Sequence, residues 1–242
     1  MVLLLVMAQA LAFDHSHAGF AEVLNGAVSP AGVKYSILET RSQDLDAYLR
    51  EVASVDATAF TQGEKLALYV NAYNAYTLRT VLDAGSISSI MELDGGKVWD
   101  ARSFQVAGQP ITLNQMEKVQ VQTLTDGRGH TVLNCAAKGC PPLRATPLRA
   151  ADIETQLDDA ARSWAQTGAY RLEGKTLTLS MLFDWYAADF GAGASSDAQG
   201  GKAEAAVRFL VRFVDSEEAL ALRTGDYTVT WMPYDWALNG VD

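Results

Sequence analysis

The sequence predicts an α+β protein, a single domain in which a central buried helix packs on short, mostly antiparallel strands. Residues 64–83 contain neither Gly nor Pro and are apolar nearly all round, which is typical of a helix in the protein interior. Residues 103–114 and 170–180 each have the pattern of two short strands that turn at a glycine, Gly108 or Gly174, and this favours hairpins. Because no linker divides the 242 residues, we expect one domain.

The composition limits the classes of partner. Apolar residues make up 49% of the chain and charged residues 20%, the balance of a globular protein rather than a disordered one. With 19 basic against 29 acidic residues and a net charge of -10, a basic face is not expected, so nucleic acids and anionic membranes are excluded as partners. The expected partner is a small-molecule or peptide ligand.

The first residues predict the compartment. Residues 2–12 form an apolar run that ends in Ala10-Leu-Ala12, the small-x-small pattern of a signal-peptidase site, and the run is too short to span a bilayer. We therefore expect a signal peptide in residues 1–12, a mature domain over 13–242 and export to the periplasm or the outside of the cell. The alternative is a buried N-terminal helix. No integral membrane segment is expected.

The other elements follow from hydrophobic spacing and from turn residues. In chain order they are helices over 13–24, 44–55, 115–124, 181–190 and 203–214 and a strand over 227–231. The Gly-, Ala- and Ser-rich residues 191–201 are typical of a loop. Four aromatic residues near the end of the chain are predicted to fill the core. They are Trp185, Tyr186, Tyr234 and Trp236.

Two asparagines of the central helix need hydrogen-bond partners. Asn71 and Asn74 lie about one turn apart and share a face, and burying either amide without a partner costs roughly 1–3 kcal/mol. The favoured interpretation is that they tie a loop to the core. The alternative is that they position a substrate or an active-site loop.

The start of the predicted helix over 115–124 gives Glu117 a structural interpretation. Asn114 precedes this helix, as Ser180 precedes the helix over 181–190, and both are residue types that cap helix N-termini. Asn114 and Glu117 have approximately the spacing of a capping box. We therefore predict a capping role for Glu117, with an active-site role as the alternative.

The stretch 130–142 contains both cysteines and one of the three histidines, and it is the strongest candidate for chemistry. Residues 131–135 are predicted to form a short buried strand that ends before Gly139. A thiol-dependent hydrolase or acyl transferase for peptide or amide bonds needs a nucleophile, a base and an orienting group. Cys135, His130 and one of Glu117, Asn71 or Asn74 are the candidates. On a regular strand His130 and Cys135 point to opposite faces, so this dyad requires a bulge or an early strand end.

The rival interpretation is a non-catalytic envelope-binding module. Cys135 and Cys140 are separated by four residues, and behind a signal sequence such a pair favours a disulfide that shapes a recognition loop. Closing so short a loop contributes only about 2 kcal/mol. The candidate binding residues for this module are Asn74, Arg128, Asn134 and Cys140, with Lys138 adding charge at the edge of the loop.

A metal site is disfavoured, and no cofactor is expected. His130, Cys135 and Cys140 do not have a standard zinc spacing. His15 and His17 are expected to lie in a solvated N-terminal arm.

Several motifs together resemble those of domain-of-unknown-function family 547. They are Tyr69-Val-Asn71-Ala-Tyr73-Asn74-Ala75, the helix entry at 113–117, Arg128-Gly-His130, Asn134-Cys135 with Cys140-Pro141, Phe183-Asp-Trp185-Tyr186 with Asp189-Phe190, and Tyr234-Asp-Trp236-Ala-Leu238-Asn239. The resemblance spans roughly residues 15 to 239 and implies kinship with secreted bacterial proteins and multi-domain plant proteins that have no established activity. By analogy alone, a helix packed on a sheet with a cysteine at its edge is similar to papain-like and transglutaminase-like folds.

Overall fold

The computed structural model describes residues 12–191 and 199–241. The predicted signal peptide, apart from Ala12, and most of the predicted loop at 191–201 lie outside these residues. Among the described helices, none combines the length and the apolar character that a membrane span requires.

The described chain is mostly helical. The α-helices are α1 (Ala18–Leu24), α2 (Tyr35–Thr40), α3 (Ser42–Ser54), α4 (Gln62–Ala84), α5 (Val98–Ala101), α6 (Leu113–Gln115), α7 (Gln122–Leu124), α8 (Ile153–Thr167), α9 (Met181–Trp185), α10 (Gln199–Leu210) and α11 (Ser216–Thr224). A π-helical segment, Met116–Val121, joins α6 to α7, and 3-10 turns span Ile90–Gly96, Gly127–Thr131 and Ala150–Asp152.

Within the described ranges, the strands form three small sheets. They are β1 (Val28–Ser29), β2 (Gly32–Val33), β3 (Ser103–Val106), β4 (Gln109–Thr112), β5 (Tyr170–Glu173), β6 (Thr176–Leu179) and β7 (Thr228–Trp231). β1 pairs with β2, β3 with β4 and β5 with β6, all antiparallel, whereas β7 adds to β6 in parallel. Both predicted hairpins and the mostly antiparallel pairing are therefore confirmed.

Helix α4 is the centre of the larger apolar core. It begins with a capping box, in which Thr61 and Glu64 bond each other's backbone N–H, and it ends before Gly85, whose φ of 69° suits glycine. It packs against α3, the helical stretch of α6 and α7, and β3, where the Tyr76 hydroxyl donates to the carbonyl oxygen of Gln105 at 2.6 Å. The α+β class with a central buried helix is confirmed, with helices as the main neighbours of α4.

A second apolar core lies in the C-terminal part of the chain. Trp164 of α8, Phe183 of α9, Phe190 and Phe209 of α10 form a cluster whose ring centroids lie 4.6 to 6.4 Å apart. The two cores meet at one cavity, to which the larger core contributes Tyr73 and Leu133 and the second contributes Leu182. The fold therefore brings distant parts of the chain to this place.

The predicted strand over 131–135 was wrong. His130 and Thr131 end a 3-10 turn, and residues 132–135 belong to no strand or β-bridge. The backbone of this segment bonds the side chain of Asn74 instead: its amide donates to the carbonyl oxygen of Val132 at 2.8 Å and accepts from the N–H of Asn134 at 2.9 Å. A side chain thus satisfies the groups that a neighbouring strand would otherwise take.

The predicted capping box at Asn114 and Glu117 was also wrong. Thr112 caps α6, and its partner in the box is Gln115, whose Oε1 accepts from the Thr112 N–H at 2.9 Å. The helix therefore begins two residues earlier than predicted, and Glu117 is released from a capping role and turned into the protein.

The predicted solvated N-terminal arm was only partly right. His15 is partly exposed and pairs with Glu64 at 3.5 Å, but His17 is buried, with 2% of its surface exposed, and its Nδ1 lies 2.8 Å from the Tyr48 hydroxyl oxygen. His17 also has a left-handed backbone, with a φ of 52°, so α1 begins at Ala18 rather than at residue 13.

Candidate functional site

The candidate functional site is a cavity of about 350 Å³, called the central cavity below. A cavity of this size lies within the range of small-molecule sites. Apolar and aromatic side chains, the two cysteines and a few polar groups line it. The lining residues are Tyr73, Trp99, Asp100, Asn114, Glu117, His130, Leu133, Cys135, Cys140, Pro141, Leu182, Trp185, Tyr186, Tyr234 and Trp236.

Glu117 reaches the cavity from the π-helical segment between α6 and α7. Its residue surface is 8% exposed. π-Helical turns are rare and are frequent at functional sites because they re-aim side chains relative to a regular helix. Nothing in the local spacing indicates this turn, so sequence reasoning placed Glu117 at a helix start instead.

His130 lies between two carboxylates. Its Nε2 lies 2.9 Å from Oδ2 of Asp189, and its Nδ1 lies 3.7 Å from Oε1 of Glu117. The His130 ring also packs on Tyr186, with ring centroids 4.1 Å apart. An ionised carboxylate only accepts hydrogen bonds, so Asp189 places a proton on Nε2 and orients the ring. Asp189 therefore holds the orienting position that sequence reasoning gave to Glu117 or an asparagine.

Gly127 lies close to Asp189 and Phe190, and this close contact helps to hold His130 beside Asp189. A Cβ atom built on Gly127 would lie 2.6 Å from Cδ1 of Phe190 and 3.0 Å from the carbonyl oxygen of Asp189. Only glycine lets the 3-10 turn that carries His130 pack so closely against the segment that carries Asp189.

Burial raises the pKa values of three ionisable groups that line the cavity. Burial raises the pKa of the Glu117 carboxyl, against opposing effects of His130 and of a hydrogen bond with Tyr186. Burial, with the negative charge of Glu117 beside it, raises the pKa of the Tyr186 hydroxyl far above its usual range. Burial also raises the pKa of Tyr234. Both tyrosines are therefore neutral hydrogen-bond donors at any physiological pH.

A disulfide joins Cys135 to Cys140 and forms one side of the cavity. The Tyr234 hydroxyl oxygen lies 3.2 Å from each sulfur atom, and the Cys135 backbone N–H donates to the Cys140 sulfur at 2.9 Å. The predicted disulfide is confirmed. As long as it is intact, Cys135 has no thiolate and cannot act as a nucleophile.

An asparagine network holds the cysteine loop, residues 135–140, from behind. Asn134 accepts at Oδ1 from the Ala136 N–H and from the Asn239 side chain, both at 3.0 Å, and donates to the Pro141 carbonyl oxygen at 2.9 Å. Asn74 bonds the Asn134 backbone, as described above. The favoured prediction that the helix asparagines tie a loop to the core is confirmed. Neither Asn74 nor Asn134 is among the described residues that line the central cavity.

Asn71 and Arg128 have structural partners away from the cavity. Asn71 donates to the Leu148 carbonyl oxygen and accepts from the Leu148 N–H, both at 2.9 Å. Arg128, whose side chain is 13% exposed, pairs with three carboxylates. These are Asp126 at 2.8 Å, Glu154 at 2.9 Å and Asp158 at 2.7 Å. The structure therefore does not bring Asn71 to His130, and it ties Arg128 to α8.

Of the four aromatic residues predicted to fill the core, Trp185, Tyr234 and Trp236 form, together with Trp99, a surface of the cavity that is called the aromatic wall. Ring centroids lie 4.9 Å apart for Trp185 and Tyr234, 4.5 Å for Tyr234 and Trp236, and 5.8 Å for Trp99 and Trp236. Trp185 is 45% exposed. The core prediction was therefore wrong for the exposed Trp185, whereas Tyr186 and Tyr234 pack against the second core and also line the cavity.

Sequence reasoning assigned no site role to Asp189, Tyr234, Trp99 or Asp100. Asp189 and Tyr234 do belong to the motifs that carry the family resemblance, and these motifs were the available signal. Within the described ranges, no group of three or more His, Cys, Asp and Glu side chains has the arrangement of a metal site.

Comparison with known proteins gives a match to one family model of unknown function. Neither the curated proteins nor the solved structures contain a match to this chain. The likeness to papain-like and transglutaminase-like folds therefore stays a prediction. Residues 57–165, which include α4, Glu117, His130 and both cysteines, match the family described as "Protein of unknown function, DUF547". This match covers a little under half of the chain and confirms the resemblance to that family over residues 57–165.

Proposed function

We propose that this protein is an exported ligand-binding module in which the Cys135–Cys140 disulfide fixes one side of a recognition cavity. The observation that carries the proposal is the disulfide itself, which lines the cavity and contacts Tyr234 through both sulfur atoms. A bridge in this position shapes the cavity and removes the cysteine nucleophile from it.

The surroundings of the bridge support a binding role. The aromatic wall offers a broad apolar surface, and an exposed tryptophan such as Trp185 loses water contact when a ligand covers it. The asparagine network holds the cysteine loop in one conformation before any ligand arrives, which lowers the entropic cost of binding.

A fragment screen by ligand-observed NMR on the intact, oxidised chain tests the proposal. Trp185→Ala removes an exposed ring of the cavity, and Leu220→Ala removes an exposed apolar side chain on α11, outside the cavity lining. We expect fragments that bind the wild type and the Leu220→Ala protein and lose most of their affinity for Trp185→Ala. The double variant Cys135→Ala/Cys140→Ala is expected to bind more weakly. Absence of any fragment that depends on Trp185 contradicts the proposal.

A second candidate is a thiol-dependent hydrolase or acyl transferase for peptide or amide bonds. It is favoured by one observation: Cys135, His130 and Glu117 line the same cavity. This activity requires that an external dithiol first reduce the bridge, with two electrons and two protons passing to the two cysteines. The freed Cys135 then gives its proton to His130 and attacks the carbonyl carbon. The amine leaves with that proton, and water or another acceptor releases the acyl group.

The two candidates differ in their response to reduction. A hydrolase gains activity toward peptide substrates when a dithiol is added, and Cys135→Ser abolishes that gain, whereas Cys140→Ser preserves it. A binding module gains no activity under the same conditions. Mass spectrometry after alkylation of the native protein, with and without prior reduction, shows whether Cys135 and Cys140 are bridged. The fragment screen and the activity assay are interpreted with this redox state known.

A further inference from the structure

We infer that the ligand of the central cavity carries a substituted ammonium group that packs against the aromatic wall. This inference rests on the proposed binding function and names the chemical class of the ligand. Three independent features of the cavity support it.

The first feature is the sign of the charge. Asp100 and Glu117 line the cavity, and Asp189 stands behind His130. Among the described lining residues, none is a lysine or an arginine. A site with two acidic side chains and no lysine or arginine in its described lining favours a cation. It disfavours phosphate or carboxylate ligands, which require positive partners.

The second feature is the aromatic wall. The faces of tryptophan and tyrosine carry negative charge density and attract a cation that lies within about 6 Å of the ring centroid. The four rings of the wall are contiguous, and Tyr73 and Tyr186 complete the lining, so a cation in the cavity meets several rings at once. Cages of this kind are the usual solution for alkylated ammonium groups, whose methyl groups have no other strong partner.

The third feature is that the polar lining groups already have partners. Asn114 donates to Asp100 at 2.7 Å, and Tyr186 hydrogen-bonds Glu117. Tyr73 hydrogen-bonds Trp99. A sugar needs many unpaired donors and acceptors for its hydroxyl groups, and breaking these internal pairs would offset much of its binding. An alkylated ammonium group needs only the electrostatic field and the ring faces.

A pair of probes isolates the charge. Choline and its neutral isostere 3,3-dimethylbutan-1-ol have nearly the same shape, because a carbon atom replaces the charged nitrogen. We expect isothermal titration of the full, oxidised chain to give an affinity for choline at least about tenfold higher than for the isostere. Trp185→Ala is expected to weaken choline binding about tenfold, and Glu117→Gln to reduce the ratio between the two probes. Leu220→Ala is expected to leave both affinities unchanged.

The outcomes separate this inference from the proposed function. Equal affinities, tighter binding of the isostere, or no choline binding at millimolar concentration overturn the ammonium inference. If Trp185-dependent fragments are found in the NMR screen at the same time, the binding function stands with a different ligand class. If no such fragment is found, the binding function itself is contradicted.

Discussion

Nε2 of His130 lies 2.9 Å from Oδ2 of Asp189, although 59 residues separate them in the sequence. The contact joins the 3-10 turn before the cysteine loop to the turn after α9, and it fixes the His130 ring beside Glu117. A carboxylate that orients an imidazole ring in this way is a feature that acid–base and binding sites share.

The first prediction concerns that contact. Asp189→Ala is expected to release the His130 ring, to remove the exchange-protected Nε2–H signal from the proton NMR spectrum and to lower the free energy of unfolding by about 1 kcal/mol. The matched control is Asp184→Ala, which breaks a surface pair with Lys202 at 2.9 Å and has similar exposure. A His130 signal that is equally affected in both variants would show that Asp189 does not orient the ring.

The second prediction separates the two asparagines of α4. Asn71→Ala and Asn74→Ala each remove two hydrogen bonds to buried backbone groups, so each is expected to lower the free energy of unfolding by roughly 2–4 kcal/mol. Only Asn74 holds the cysteine loop. Titration of a cavity ligand is therefore expected to show weaker binding to Asn74→Ala and unchanged binding to the folded Asn71→Ala protein. Equal losses of affinity would assign a site role to both.

The third prediction concerns His17 in acid. Burial, the largest effect, lowers the pKa of His17 from 6.5 to about 4 in the folded state. The unfolded chain therefore binds a proton more readily, so the stabilisation is complete above pH 6.5 and is lost as the pH falls from 6.5 to about 4. His17→Asn keeps a residue that tolerates the left-handed backbone and removes the titration.

The unfolding free energy of the wild type is expected to fall relative to that of His17→Asn by about 3 kcal/mol across this window, as measured by urea denaturation at several pH values. A constant difference between the two proteins would show that His17 does not titrate with folding.

The fourth prediction concerns Glu117. Its pKa is raised by folding, whereas that of His17 is lowered, so the stability changes with pH in the opposite direction. Its pKa in the folded protein is raised above the ordinary value of 4.5, so the folded state holds the proton more tightly than the unfolded chain does. The wild type therefore loses stability as the pH rises from 4.5 through the folded pKa. Glu117→Gln is expected to be more stable than the wild type at neutral pH and to match it below pH 4.5.

The same denaturation series measures this difference, and ligand titration supplies the functional counterpart. If Glu117→Gln is more stable than the wild type but binds a cavity ligand less well, the Glu117 carboxylate contributes to binding and lowers the stability of the folded protein. A variant that is less stable than the wild type at neutral pH would contradict the prediction.

Local patterns were sufficient for much of the fold. Residues 64–83 lack helix breakers and are apolar nearly all round, and α4 covers all of them. The helix begins at a capping box formed by Thr61 and Glu64. The two hairpins turn where Gly108 and Gly174 allow a positive φ. These elements depend on contacts between near neighbours, which spacing and propensity describe.

The candidate site was predicted only in part. The stretch with His130, Cys135 and Cys140 was correctly singled out, and its disulfide is present. The surroundings of this stretch were not predicted: Glu117 was assigned to a cap, and Trp185 was assigned to the core. The first error is local, because Thr112 and Gln115 form the capping box and a π-helical turn carries Glu117. The second arises because the rings that Trp185 meets, Tyr234 and Trp236, lie tens of residues away in the chain.

The sequence by itself determined the α+β class, the central helix, the hairpins, the family resemblance and the short-range disulfide, since all of these follow from local spacing or from ordered motifs. Only the tertiary structure decided that the Asn74 side chain, rather than a strand partner, bonds the backbone of Val132 and Asn134 just before the cysteine loop. It also decided that Asp189 orients His130, and that the four rings of the aromatic wall line one cavity. The physical reason is that buried polar and aromatic side chains contact whichever partners the fold brings near. The number of residues between two side chains in the sequence does not determine the distance between them in the folded protein.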